Sequence, residues 1–169
     1  MEEEKTFDER VIFVNRVARV VQGGRRFRFQ ALVVVGDHRG SVGMGISKGA
    51  DVSAAITKAT NVAKKSLIKL TLYKGTLPHD VRAKKSGAKV LILPAAPGTG
   101  LIAGGVVRSI LEVAGIENAL SKSIGSSNRI NVAYATMEAL NSMVPAKDWI
   151  SRRNTANLKA EKKVAEKAA

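Results

Sequence analysis

With 169 residues, 45% of them hydrophobic, the chain has apolar material for one medium domain or two small ones, and its 28 Lys and Arg against 14 Asp and Glu give a formal charge of +14. That excess points to a polyanionic partner, nucleic acid before an anionic membrane, since no run approaches the roughly 18 apolar residues that span a bilayer. The absence of cysteine and the wide separation of His38 and His79 argue against a metal site, and an aromatic content of 4% leaves little with which to stack unpaired bases. The composition therefore favours a folded RNA read through its phosphates and shape, with no cofactor.

Residues 1–9 read as an acidic, frayed extension whose Met1-Glu2-Glu3-Glu4 start is the reverse of a basic signal-peptide opening, which predicts a cytoplasmic protein. Val11, Phe13, Val17, Val20 and Val21, interrupted by Arg16 and Arg19, predict a strand over about 10–21. Gln22-Gly23-Gly24-Arg25-Arg26 follows as a hairpin loop with a charged tip. The next run alternates Phe27 and Phe29 with Arg28 and Gln30, then becomes the continuous apolar Ala31 to Val35, as in a strand covered on both faces. After a turn at Asp37-His38-Arg39-Gly40, a third strand over Ser41 to Ser47 is thinned by Gly43 and Gly45, the mark of a bulge or of close backbone approach.

Asp51 or Ser53 can cap a helix reaching about Leu70, with Val52, Ile56, Ala59, Ala63, Leu67 and Leu70 on one side and Lys58, Lys65 and Lys69 on another. Tyr73 to Thr76 reads as a turn and domain boundary, and Arg82 to Gly87 as a polar stretch leading into an apolar strand over Val90 to Leu93. A loop over Pro94 to Gly100 opens a helix from Ala103 to Ala114, stopped by Gly115. Ala119 to Ile124 reads as a short strand, and Gly125-Ser126-Ser127-Asn128 offers cap residues for a last helix from Ile130 to about Met143. Trp149 is expected to cover the edge of the core, and the Lys-rich tail from Ser151 has too few large apolar residues to fold alone.

Arg16, Arg19, Arg25, Arg26 and Arg28 gather at the first hairpin, where guanidinium forks match phosphate oxygens and Gly23 and Gly24 let the main chain approach a sugar-phosphate chain. The plainer alternative is a solvated turn with scattered charge. Lys58, Lys64 and Lys65 mark a basic helix flank that serves equally well as an ordinary solvated face. Gly98-Thr99-Gly100-Leu101-Ile102-Ala103 satisfies a loose dinucleotide fingerprint, with Glu117 at a tolerable distance for a ribose. A lone glycine pattern in a weak αβα stretch is poor evidence for a nucleotide enzyme, and a tight turn packed against RNA or protein is the better reading. A free RNA-binding regulator is a further rival.

Taken in order, these residues resemble a known family. The first half carries Val14-Asn15-Arg16-Val17, Gly23-Gly24-Arg25, Ala31-Leu32, Val34-Val35-Gly36-Asp37, Val42-Gly43 and Lys48. The second adds Gly98-Thr99-Gly100, Ile102-Ala103-Gly104-Gly105, Arg108, Leu111-Glu112-Val113-Ala114-Gly115 and Ile130-Asn131-Val132. Over about residues 9–143 the chain resembles bacterial small-subunit ribosomal protein five.

The resemblance implies an α+β fold: a double-stranded-RNA-binding-like domain at 10–72, with its first helix reduced or absent, packed on a second α/β domain at 73–144. That second domain has a small sheet, two helices and a left-handed crossover, and a basic extension follows over 145–169. The resemblance also implies a non-enzymatic role in the small ribosomal subunit, where family members bind rRNA at the head-body junction and touch ribosomal proteins four and eight. They line the mRNA entry side and influence decoding accuracy. By position, Gln22 to Arg26 match a loop near the spectinomycin site, and Gly98, Thr99, Gly100 and Arg108 match the contact with protein four.

The rRNA contacts expected are Arg16, Arg19, Gln22, Gly23, Gly24, Arg25, Arg26, Arg28, Lys48, Lys58, Lys64, Lys65, Ser126, Ser127, Asn128 and Arg129. No small-molecule substrate, membrane or metal is expected. The chain departs from the family pattern at Gln22, where Lys is common, at Ser47-Lys48-Gly49, and at Arg129, which stands in place of a helix-starting proline.

Overall fold

The computed structural model describes residues 7–145; the readings of Trp149 and of the tail from Ser151 fall outside them. Strand β1 (Asp8–Val21) pairs antiparallel with β2 (Gly24–Gly36), which pairs with β3 (Ser41–Gly49). Helix α1 (Val52–Lys65) follows, and a short β4 (Ile68–Lys69) closes the first sheet in the order β1-β2-β3-β4. The second half has β5 (Val81–Lys85), β6 (Ala88–Pro94), β7 (Leu101–Ile102), α2 (Gly105–Ala114), β8 (Ala119–Gly125) and α3 (Arg129–Asn141). Its sheet runs β5-β6-β8-β7, antiparallel except for the parallel pair β7 and β8. Among the described residues, no helix is long and apolar enough to cross a membrane.

The apolar run of β2 is covered on both faces, as its composition predicts. Ala31, Val33 and Val35 pack against Ala55, Ala59 and Ala63 of α1. Leu32 and Val34 point the other way, into a core shared with Ile110, Leu111 and Val113 of α2 and Val132 and Ala139 of α3. Burying a Val or Leu side chain is worth about 1.5–3 kcal/mol, so this one strand contributes to two cores at once. Strand β3 has the thinness its glycines imply, for α1 lies so close that a Cβ at Gly45 would collide with the Ala59 carbonyl.

The halves are also joined at the end of α2. A helix leaves its last carbonyls without intrahelical partners, and here the β2–β3 turn supplies donors. The His38 amide donates to Val113 O at 3.2 Å, the Gly40 amide to Ala114 O at 2.9 Å, and the His38 ring Nδ1 to Glu112 O at 2.9 Å. Gly115, at φ +85°, ends the helix in the left-handed region, with His38 too close for any side chain. The Glu112 carboxylate binds Arg108 Nε at 2.8 Å through one oxygen and Arg10 of β1 through the other.

Four details differ from the sequence reading. Asp8 and Glu9 belong to β1 rather than to a frayed extension, with Glu9 bonded to Lys64 at 2.9 Å and to Thr60 at 3.2 Å. Helix α1 stops at Lys65, short of Leu70. The Ser66 hydroxyl donates to Met44 O at 2.9 Å, and Ile68 and Lys69 pair with the edge of β3 instead of continuing the coil. Lys69 therefore leaves the helical flank, and the buried face of α1 is Ala55, Ala59, Thr60 and Ala63, with Val52 exposed. The stretch Arg82 to Gly87, read as merely polar, contains β5, whose inward Val81 and Ala83 give too thin an alternation to announce a strand.

Gly45→Ala is expected to lose at least about 2 kcal/mol of stability in denaturant titration, because a backbone carbonyl cannot move aside as a flexible side chain would. The Arg108 guanidinium, against partial burial and with help from Arg10, holds the Glu112 carboxyl below its ordinary range. The stability this adds is complete above the usual carboxylate range and is lost as pH falls through the depressed value. Glu112→Gln should therefore be less stable than the parent at neutral pH, and the difference should shrink in acid unfolding curves.

Candidate nucleic-acid interface

The β1–β2 hairpin is tighter than its sequence suggests. Val21 pairs with Gly24, leaving only Gln22 and Gly23 in the turn, while Arg25 and Arg26 lie in β2 opposite Val20 and Arg19. Gly24 takes φ +134°, and a Cβ at Gly23 or Gly24 would meet nothing within 4 Å, so this main chain is open to an incoming group.

Strand alternation sorts the candidate arginines into two sets. Arg26 and Arg28 share the face of Leu32 and Val34, joined by Arg19 opposite Arg26 and by Lys48 opposite Gln30. Together with Val17 and Val21 they line a groove of about 560 Å³ in which no acidic side chain takes part. Arg16 and Arg25 occupy the opposite face, where the Arg16 guanidinium lies 3.7 Å from the centroid of the Phe27 ring. A cation over an aromatic face is attracted to the ring's quadrupole, which also accounts for an exposed Phe27.

Arg129 extends the groove side. It opens α3 and lies 5.8 Å from the ring centroid of Phe13, which pairs with Leu32 and packs on the shared core. Asn128 caps α3 by accepting from the Ile130 amide at 3.1 Å, while Ser126 Oγ accepts from the Asn128 amide at 3.2 Å. Ser127 is exposed beside them. Lys58, Lys64 and Lys65 are on α1, across the sheet from the groove, and Lys64 is already paired with Glu9.

The glycine fingerprint does not make a phosphate site. Leu101 and Ile102 form β7, so the pattern ends before the helix, which begins at Gly105. The amides of Gly98 and Gly100, which a pyrophosphate would need, both donate to Asn118 Oδ1 at 3.0 Å. Thr99 donates its amide to Ala96 O at 3.2 Å. Nearly buried Asn118, which no local pattern singles out, thus fixes the loop that carries Gly98 to Gly100. Arg108 stands half-exposed nearby, steered by Glu112.

Fold and charge together define a basic α+β protein of two small sheets, with an arginine-lined hairpin at one end. The family model described as Ribosomal protein S5, N-terminal domain, matches residues 7–71, and that described as Ribosomal protein S5, C-terminal domain, matches residues 83–153. The chain is also 50% identical over 153 residues to Small ribosomal subunit protein uS5 of Treponema pallidum subsp. pallidum, spanning 90% of this chain and 89% of the relative. The protein of the same description from the Nichols strain of Treponema pallidum matches to the same extent. The chain belongs to the ribosomal protein S5 family.

Direct opposition of like charges across strands is destabilising, and Arg19 faces Arg26 in that way. Arg26→Thr should accordingly stabilise the free protein at low ionic strength by a few tenths of a kcal/mol, read as a higher unfolding midpoint. The gain should fade in thermal unfolding above about 0.5 M salt, where such charges are screened.

Proposed function

We propose that this chain is a structural constituent of the small ribosomal subunit, in the cytoplasm, that holds rRNA by neutralising its phosphates. The observation that carries the reading is the groove of Arg19, Arg26, Arg28 and Lys48. It sets one cation directly against another with no carboxylate among its lining residues. Such a surface is costly to the free chain and becomes favourable once phosphates replace the missing counter-charge. Gln22 and Gly23 at the tip add main-chain donors, Gly24 leaves room for a phosphate to approach them, and Ser126 to Arg129 extend the contact along the neighbouring helix terminus.

By analogy with the family, the RNA is the head-body junction, the first sheet with α1 acts as a double-stranded-RNA-binding-like unit over 10–72, and residues 73–144 form the second. Arg16, Arg25, Lys58, Lys64 and Lys65, on the other side of the sheet, would meet a second RNA segment. Gly98, Thr99, Gly100 and Arg108 are assigned to ribosomal protein four, and protein eight is the other expected neighbour. Both the Asn118 bonds to the loop and the Glu112 bond to Arg108 support a preformed protein contact there. A place on the mRNA entry side and an influence on decoding accuracy follow from the same family analogy, and no catalysis is assigned.

The salt dependence of binding to an rRNA fragment spanning the junction tests this directly. Each lost phosphate contact lowers the slope of log affinity against log salt by about 0.7–0.9, so Arg19→Ala, Arg26→Ala and Arg28→Ala combined should flatten it by about 2–3. An unchanged slope would remove the groove from the RNA interface.

A further inference from the structure

We infer that the outer face of the second sheet is a docking surface for an acidic segment of a neighbouring protein that also carries aliphatic side chains. Helix α3 lies on β5 and β6, so Val81, Val90 and Ile92 are buried in the core. By alternation, Arg82, Lys84, Lys89, Leu91 and Leu93 point away from it. Register on β8 places Lys122 beside Leu91 and Ile124 beside Lys89, so cations and aliphatics interleave across one surface. A groove of about 440 Å³ opens there, with Arg82, Lys84, Lys89, Leu91 and Ile124 among its lining residues.

The charge is one-sided. Strands β5, β6 and β8 contain no Asp or Glu, and Lys85, the one further cation in them, is paired with Glu138 of α3 on the covered side. The far end of the same face is wholly aliphatic, for Leu93 pairs with Leu120 and Leu120 with Ile102. Ile124 and Ile102 keep 54% and 59% of their surface exposed, large values for aliphatic side chains in a sheet.

These features favour protein over RNA. Phosphates would satisfy the lysines but gain nothing from the aliphatic row, because recognition of bases through apolar contact uses flat rings, and this face has none. A protein segment can place aliphatic groups over Leu93, Leu120 and Ile102 and carboxylates against Arg82, Lys89 and Lys122, the usual apolar centre and polar rim of an interface. The aliphatic end adjoins the loop of Gly98 to Gly100, so the surface continues the protein contact assigned there while using residues outside it.

The inference rests on assembly into the small subunit, since that particle supplies the neighbour. The test places a photoreactive benzophenone side chain at Ile124 in the full chain, purifies small subunits from cells, irradiates them and sequences what is joined. Reaction of Lys84, Lys89 and Lys122 with an acylating reagent is compared in the free protein and in the particle. The expected result is a bond to a protein segment that contains both acidic and aliphatic residues, with lysine reactivity at least tenfold lower in the particle. Lys89→Glu with Lys122→Glu, both exposed, should cut the yield of that product at least fivefold while the chain still enters the particle. Joining to rRNA, or lysines as reactive as in the free chain, would overturn the inference and leave the assembly reading intact. Absence of the chain from the particle would overturn both.

Discussion

Five consecutive residues of β2, Ala31 to Val35, have no exposed surface, and the elements packed on the two faces of that strand take their places from that fact. A strand apolar on both sides must be covered twice. On one side the cover is α1, brought close by the glycines of β3 and the alanines of the helix. On the other it is the second half of the chain, whose α2 ends on the β2–β3 turn with its last carbonyls bonded to His38 and Gly40. The turn thus completes the cap that Gly115 begins, by supplying donors to the carbonyls of Val113 and Ala114.

That junction explains how a hairpin with so much unbalanced charge can be held in place. The buried half of β2 anchors the exposed half, so Arg26 and Arg28 continue a strand whose other end is locked in two cores. Arg10 strengthens the connection from β1 by sharing the Glu112 carboxylate with Arg108, which links the hairpin strand to the helix nearest the glycine loop. Stability and charged surface are therefore placed at opposite ends of the same strands, a separation that lets a cationic surface exist without weakening the core beneath it.

Much of this was readable from residue order. The double apolar run of β2, the glycine-thinned β3, the glycine stop of α2 and the Asn128 cap of α3 each rest on local chemistry that the fold did not override. The end of α1 was not readable, because its limit is set by the edge of β3, distant in sequence. Strand β5 escaped notice for want of apolar alternation, and the role of Asn118 depends on a loop some 20 positions away. For the candidate site, sequence named the arginines but could not divide them between faces. That division needs the register, in which Arg25 and Arg26, neighbours in the chain, point to opposite sides of the sheet.

Native-state hydrogen exchange tests most directly whether the strand shared by two cores makes the halves one cooperative unit. The amides of Val33, Val34 and Val35 and those of Ile110, Leu111 and Val113 are expected to open with the same free energy and the same denaturant dependence. Opening of α2 and the second sheet at a free energy lower by about 2 kcal/mol, with β2 still protected, would contradict that expectation.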